Sequence, residues 1–260
     1  MTKHNPLNMN TIKLLNYNIH SCLNMDRRRS TARTAATLSR LCADIITLQE
    51  VDVHQKRSNY IHQAAYLAEQ LDMNYHFFAL KKNFDEQYGL AVMSRFPILD
   101  VVCTHLPAMP AARPIEKRGL IMARVKTPLG TVKLLNTHLS LRAGDRKLQA
   151  NALAQNKWIQ NCTGSEEPVV LCGDFNAGPG SFVYNTIADQ LCDIQTINPA
   201  RRYPRATFIS WFPALRIDHI FVSHHLSPVR VSVPRDFETR MISDHLPLYA
   251  ELAFVEREGF

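Results

Sequence analysis

No apolar run in the 260 residues is long enough to cross a bilayer. The opening MTKHNPLNMNTIKLLNYNIH lacks the continuous apolar stretch and small-residue cleavage site of a secretory leader. The expectation is a soluble cytoplasmic protein. Cys-x-x-Cys spacing is missing as well: Cys22, Cys42, Cys103, Cys162, Cys172 and Cys192 are scattered, which argues against a disulfide framework or a zinc knuckle. They read as reduced thiols packed in the core. Linkers and low-complexity segments are absent, so the simplest organisation is one domain over residues 1–260, with 1–10 flexible. No long basic tail accompanies the formal charge of +7. That surplus suits a phosphate-rich partner such as nucleic acid or anionic lipid, but it serves solubility equally well.

What the chain does contain is an alternation of short β-forming runs and amphipathic stretches, the pattern of a mixed α/β architecture. Strands are predicted over 12–19, 44–49, 75–79, 89–93, 101–105, 120–125, 132–137, 168–172, 217–223 and 246–253. Helices are predicted over 31–41, 60–71 and 144–161. Lys13-Leu14-Leu15-Asn16 and Lys133-Leu134-Leu135-Asn136 open two segments that each end in a histidine. The echo fits duplicated halves, and it fits chance.

Polar residues collect where these strands end. Asn18, Glu50, His138, Asp174, Asn176, Asp218, Asp244 and His245 each lie at or just beyond a predicted strand terminus, where an open α/β sheet places its ligand crevice. Hydrolysis of a phosphate ester requires neutralised non-bridging oxygens, an oriented water and a stabilised leaving oxygen. Glu50 with Asn18 or Asp244 offers the oxygen ligands that Mg²⁺ or Mn²⁺ prefers. Gly173-Asp174-Phe175-Asn176 joins a close-approach glycine to a proton acceptor and an amide donor, and Asp244-His245 sets an acid beside an imidazole that it can hold protonated. Each of these alone is equally an ordinary turn or a solvated strand end.

Taken in order, Asn-Tyr-Asn-Ile-His at 16–20, Leu-Gln-Glu-Val-Asp at 48–52, Asn-Thr-His-Leu at 136–139, Gly-Asp-Phe-Asn at 173–176, Arg-Ile-Asp-His-Ile-Phe at 216–221 and Ser-Asp-His-Leu-Pro at 243–247 carry more weight. In this succession the chain resembles the endonuclease/exonuclease/phosphatase superfamily along almost its whole length. The stretch from Tyr88 to Pro97 and Glu116-Lys117-Arg118-Gly119 are similar to connecting segments of its small bacterial members. The resemblance implies a deoxyribonuclease I-like fold, a four-layer α/β/β/α sandwich of two mixed β-sheets flanked by helices, with the site at one edge. It implies Glu50 as principal metal ligand, with Asn18 and Asp244 helping to hold the ion or its waters, and Asp174 orienting or deprotonating the attacking water. Asn176 would hold a non-bridging oxygen, His138 and His245 would touch the scissile phosphate, and Asp218 would orient one of the two imidazoles.

The chain departs from specialised members of that superfamily. Nucleases similar to deoxyribonuclease I carry a glutamate supporting a histidine near the position of Phe78-Ala79-Leu80, and none is found here. Inositol-polyphosphate phosphatases would have a tryptophan before the Gly-Asp motif and a Cys-Asp-Arg segment later, where this chain has Leu171-Cys172 and Arg216-Ile217-Asp218-His219. Abasic-site endonucleases usually follow the first asparagine with a pair ending in Gly, and here Ile19-His20 follows. Residues 201–216 (RRYPRATFISWFPALR) are the candidate specificity loop, since aromatics beside cations can stack bases or seat in a lipid interface. Arg27-Arg28-Arg29 reads as a run that caps and solvates the following helix, with contact to a second phosphate as the alternative, and His224-His225 reads as an exposed pair. The reading is a monomeric Mg²⁺- or Mn²⁺-dependent phosphoesterase acting on a phospholipid, a small ester or nucleic acid. The alternatives are a nuclease proper and a catalytically silent phosphate-binding protein.

Overall fold

The computed structural model describes residues 11–111, 116–160, 167–198 and 204–255. Strands β1 (Thr11–Asn18), β2 (Ile45–Val53), β3 (Asn74–Asn83), β4 (Glu86–Ser94), β5 (Ile98–His105), β6 (Gly119–Thr127), β7 (Gly130–His138), β8 (Val169–Asp174), β9 (Cys192–Asp193), β10 (Asp218–Val222), β11 (Leu226–Ser232) and β12 (Leu248–Phe254) form two sheets. Their orders are β11-β12-β1-β2-β4-β3 and β5-β6-β7-β8-β10-β9. Both are mixed, because β1 runs parallel to β2 and β7 parallel to β8 while the other pairs are antiparallel. Helices α1 (Thr31–Leu41), α2 (Gln63–Leu71), α3 (Ala143–Ala154), α4 (Lys157–Gln160), α5 (Phe182–Ala188) and α6 (Phe237–Met241) complete the elements. The four-layer sandwich is the architecture expected from the motifs.

Side-chain alternation explains the layers. In β1, Ile12 and Leu14 enter the core between the sheets, whereas Leu15 and Tyr17 join Leu38 of α1 and Leu67 of α2 on the outer face. In β7, Val132 and Leu134 face inward, and Leu135 packs outward with Leu153 of α3 and Ile187 of α5. Toward the C-terminal ends the inward-facing positions turn polar, at Asn16 and Asn18 in β1, Asn136 and His138 in β7, and Asp174 in β8. The core therefore gives way to a polar rim at one edge. The Lys-Leu-Leu-Asn echo corresponds to a shared position: β1 and β7 each stand third in their sheet and pair in parallel with the next strand.

A buried amide network staples the sheets beneath that rim. Gln49 Nε2 donates to Asn16 Oδ1 at 2.9 Å and to Asn136 Oδ1 at 2.7 Å, and Asn136 Nδ2 reaches the Leu48 and Ala91 carbonyls of the opposite sheet. Asn16 Nδ2 donates to the Gly173 carbonyl at 3.2 Å. A Cβ at Gly173 would overlap the Thr137 carbonyl oxygen, so only glycine lets β8 close on β7 here.

Several sequence expectations are corrected. The helix foreseen from residue 60 starts at Gln63, because Asn59 and Tyr60 adopt left-handed backbone angles. The long helix expected over 144–161 breaks after Ala154. Of the described cysteines only Cys22 and Cys172 are buried, while Cys42 and Cys192 are exposed; Cys162 lies outside the described residues. His225 is buried beside Ser223 Oγ at 3.2 Å, contrary to the exposed pair expected. Among the described residues, no helix is long and apolar enough to cross a membrane.

Candidate active site

Six of the eight residues singled out from the sequence line one cleft of about 610 Å³ at the polar edge of the sandwich: Glu50, His138, Asp174, Asn176, Asp244 and His245. Asn18 and Asp218 are buried directly behind it. Asn18 Nδ2 donates to Glu50 Oε1 at 3.0 Å and to Asp174 Oδ2 at 3.1 Å, so one amide ties together the ends of β1, β2 and β8. Glu50 owes its direction to a β-bulge between Leu48 and Val51, where its φ is 58°. Such left-handed non-glycine residues cost roughly 1–3 kcal/mol and concentrate at functional sites. Asn176, at φ 48°, closes a turn in which its own N–H donates to Asp174 Oδ1 at 2.9 Å.

Asp218 orients His245. Its Oδ2 accepts from His245 Nδ1 at 2.8 Å and from Thr207 Oγ1 at 2.6 Å. His245 Nε2 then lies 3.6 Å from Asp174 Oδ2, and His138 Nε2 approaches the same oxygen at 3.4 Å. Burial pulls His245 toward neutrality, but the Asp218 and Asp174 carboxylates overcome it and raise the ring to about 10, a cation at neutral pH. Burial pushes Asp174 up to about 7; the His245 charge opposes this and Asp218 adds to it. His138 is held well below the usual histidine range by burial, by the Arg118 guanidinium and by His245. The site thus sets one imidazole held toward its cation and one held toward neutrality beside a carboxylate that burial raises.

Among the described residues, Asp174, Asp218 and His245 also bring one ligand atom each within 4.8 Å of one another. In this trio Asp218 Oδ2 is already engaged by His245 and Thr207, which leaves its buried, unpartnered Oδ1 as the oxygen it could offer. Glu50 and Asp244 suit a hard cation better, since both are carboxylates facing the cleft; Asn18 turns its Nδ2 to Glu50 and its Oδ1 to the His20 N–H, so it helps by holding Glu50 in place.

Some contributors escaped the sequence reading. Thr207 and Phe208 sit in the proposed specificity loop, where they buttress Asp218 and tilt against the His245 ring at 4.9 Å. Arg201, Arg202 and Tyr203 of that loop lie outside the described residues. Arg118 NH1 lies 2.9 Å from His138 Nδ1, although its segment was marked only as connecting. His20 Nδ1 reaches Asp244 Oδ1 at 3.3 Å. Of the arginine run, Arg27 and Arg28 are exposed as expected, but Arg29 joins Arg57 and Lys81 in lining the cleft. Leu141, Phe208, Leu215 and Ile217 add an apolar component.

Known proteins share this framework. Uncharacterized protein YbhP of Escherichia coli strain K12 is 28% identical over 252 residues, covering 93% of this chain and 96% of that one. Among solved structures, the mannosyl-6-phosphatase Bt3783 of Bacteroides thetaiotaomicron superposes with a TM-score of 0.77 at 24% identity, covering 94% of this chain and all of the other. The human Nocturnin catalytic domain with bound sulfate superposes with a TM-score of 0.73 at 24% identity, covering 94% and 95%. The model of the Endonuclease/Exonuclease/phosphatase family matches residues 15–245, and the chain belongs to that family.

Proposed function

We propose that the protein is a divalent-metal-dependent phosphoesterase, acting as a single-domain monomer that hydrolyses a small phosphate ester or a phospholipid headgroup ester with an activated water. The observation that carries this reading is the convergence of His138 Nε2 and His245 Nε2 on Asp174 Oδ2, with Asn176 and Glu50 opening on the same cleft. Asp174, raised toward neutrality by burial, is suited to orient the water and accept its proton. The His245 cation would pair with the phosphoryl charge and then give a proton to the leaving oxygen. Asn176 Nδ2 and His138 Nε2 would donate to non-bridging oxygens. Glu50, with Asn18 and Asp244, would hold Mg²⁺ or Mn²⁺, which when bound supplies charge neutralisation at the phosphoryl group.

The cleft volume falls within the range of small-ligand pockets. Arg29, Arg57 and Lys81 beside Leu141 and Leu215 suit an anionic group joined to a partly apolar remainder. The test is Mg²⁺-dependent turnover of a panel holding a sugar phosphate, a soluble phosphomonoester, a phospholipid diester, single- and double-stranded DNA, and RNA, with Asp174→Ala as the blank. Turnover confined to nucleic acid would replace this reading with a nuclease. No turnover of any member would favour a phosphate-binding role.

A further inference from the structure

We propose that Arg118 fixes His138 as a neutral hydrogen-bond donor with its proton on Nε2, so that His138 grips phosphate oxygen and takes no part in proton transfer. This deepens the phosphoesterase reading and rests on it for the role of the donor, but the state of the ring stands on geometry alone. A guanidinium has five N–H donors and no acceptor. With Arg118 NH1 2.9 Å from Nδ1, that nitrogen must be bare, and the single proton of a neutral imidazole belongs on Nε2.

The surroundings of Nε2 agree. Asp174 Oδ2 stands 3.4 Å away as an anionic acceptor, at ion-pair distance. Asn176 Nδ2 lies 3.2 Å from the same nitrogen and spends one of its two N–H groups on the Leu139 carbonyl at 3.0 Å; the other is a neutral donor and more distant than the Arg118 cation at 2.9 Å, so Arg118 decides which ring nitrogen stays bare. Protonating Nδ1 would set two cations against each other in a buried space, where Coulomb repulsion is poorly screened.

Arg118 cannot easily withdraw. It is 7% exposed, its NH1 is held by Glu116 Oε1 at 2.7 Å, and its carbonyl accepts from Leu106 N at 2.8 Å. Gly119 follows it under Leu80 and Phe78, whose side-chain carbons would lie 2.5 and 2.8 Å from a Cβ there. Phe78 and Leu80 belong to the stretch where nucleases similar to deoxyribonuclease I carry the glutamate that supports a histidine. The ionisable groups around the ring are Arg118 and Glu116 ahead of β6, Asp174 at the end of β8, and His245 ahead of β12. His245 differs in kind, because a carboxylate rather than a guanidinium meets its Nδ1. Proton exchange therefore falls to Asp174 and His245, and His138 is a positioning donor.

The experiment is long-range ¹H–¹⁵N correlation of ring-labelled histidine in the full chain, with His138 assigned by His138→Gln. The wild type is expected to show the neutral Nε2–H pattern without change from about pH 5.5 to about pH 8.5, the window in which an ordinary histidine titrates. Arg118→Met should release the ring to titrate, and Arg118→Lys, which restores a cationic donor, should return the fixed pattern. A doubly protonated or Nδ1–H ring in the wild type overturns the proposal, and that spectrum needs neither substrate nor the variants. On the best substrate of the panel, His138→Gln, which keeps an N–H donor, should lose about tenfold or less in kcat. Loss of a general acid or base costs about 10²- to 10⁴-fold, and a drop of that size would equally defeat the assignment. Failure of the substrate panel leaves the spectroscopic result standing, so the two readings fail separately.

Discussion

Asp218 Oδ2 stands 2.8 Å from His245 Nδ1, and the two residues arrive from strand-leading positions 27 apart in sequence. The contact keeps the Nδ1 proton in place, turns Nε2 toward Asp174 and stabilises the imidazolium. Asp218→Asn should preserve the shape and lose the charge. Turnover is expected to fall about 10²- to 10⁴-fold, in line with the loss of an orienting carboxylate behind a catalytic histidine. Unfolding free energy should change far less than it would for a core deletion. Steady-state kinetics with a parallel urea melt separates these effects, and wild-type turnover in the variant would remove His245 from the mechanism.

Gly173→Ala should damage the site through the backbone. The added methyl meets the Thr137 carbonyl, a group fixed within the β7–β8 ladder, and Asp174 is the next residue. We expect a loss of about 1–3 kcal/mol, the usual cost of overpacking, together with a drop in kcat larger than the remaining folded fraction explains. Denaturant unfolding and kinetics on one preparation test this. A variant of wild-type stability would mean that β8 can shift away from β7.

Much of this arrangement is legible in the sequence, because strands repeat every two residues. Ile12, Leu14, Asn16 and Asn18 share one face, as do Val132, Leu134, Asn136 and His138, so the change from apolar to polar marks the rim in the sequence itself. Other features have no period to betray them. Arg118 and Thr207 reach the histidine and carboxylate they serve from segments outside any strand pattern. The Glu50 bulge depends on pairing with β4. Strand β11 carries Pro228, a residue that argues against a strand; it is tolerated because β11 lies at a sheet edge and breaks register between Pro228 and Arg230.

Asn136 should matter for stability out of proportion to its size. Its amide donates to two carbonyls of the opposite sheet and its oxygen accepts from Gln49, all without solvent access. Asn136→Ala strands those groups, at about 1–3 kcal/mol for each unsatisfied one. A total loss of about 2–5 kcal/mol with an unchanged urea m-value is expected. A loss below about 1 kcal/mol would mean that water replaces the amide.

A second buried cluster carries a pH signature. Asp193 accepts from Arg216 NH2 at 2.5 Å and from Tyr184 OH at 3.0 Å, with His219 Nδ1 at 3.6 Å. Burial raises this carboxyl, but His219 and Arg216 outweigh burial and leave it below its ordinary value. A depressed folded-state value gives stability that is fully present above the unfolded pKa of about 3.9 and is lost as pH falls through the folded value. Asp193→Asn should therefore be less stable than wild type at neutral pH, by about 3–5 kcal/mol if the buried Arg216 finds no other partner. The gap should begin to narrow below about pH 4 and close as pH falls through the folded value. Melts across that range decide it, since a gap independent of pH would assign the loss to packing.

Metal dependence can be read without any substrate. Glu50, Asp174 and Asp244 converge on the cleft, and an Asn18 amide stands between the first two. Their mutual repulsion is a cost that a divalent cation would relieve, so the folded state should bind Mg²⁺ or Mn²⁺ and the unfolded chain should not. Linkage then predicts stabilisation of about 2.7 kcal/mol when the free ion stands at 100 times its Kd. Glu50→Gln removes the ligand assigned the largest share. It should remain folded in EDTA but lose most of the cation-induced rise in Tm, and chelation should abolish turnover of the wild type. Glu50→Gln also relieves some of the repulsion, so its Tm in EDTA should equal or exceed that of the wild type. A variant that keeps the full metal-induced rise would move the cation site away from Glu50, toward the Asp174 and Asp218 carboxylates beside His245.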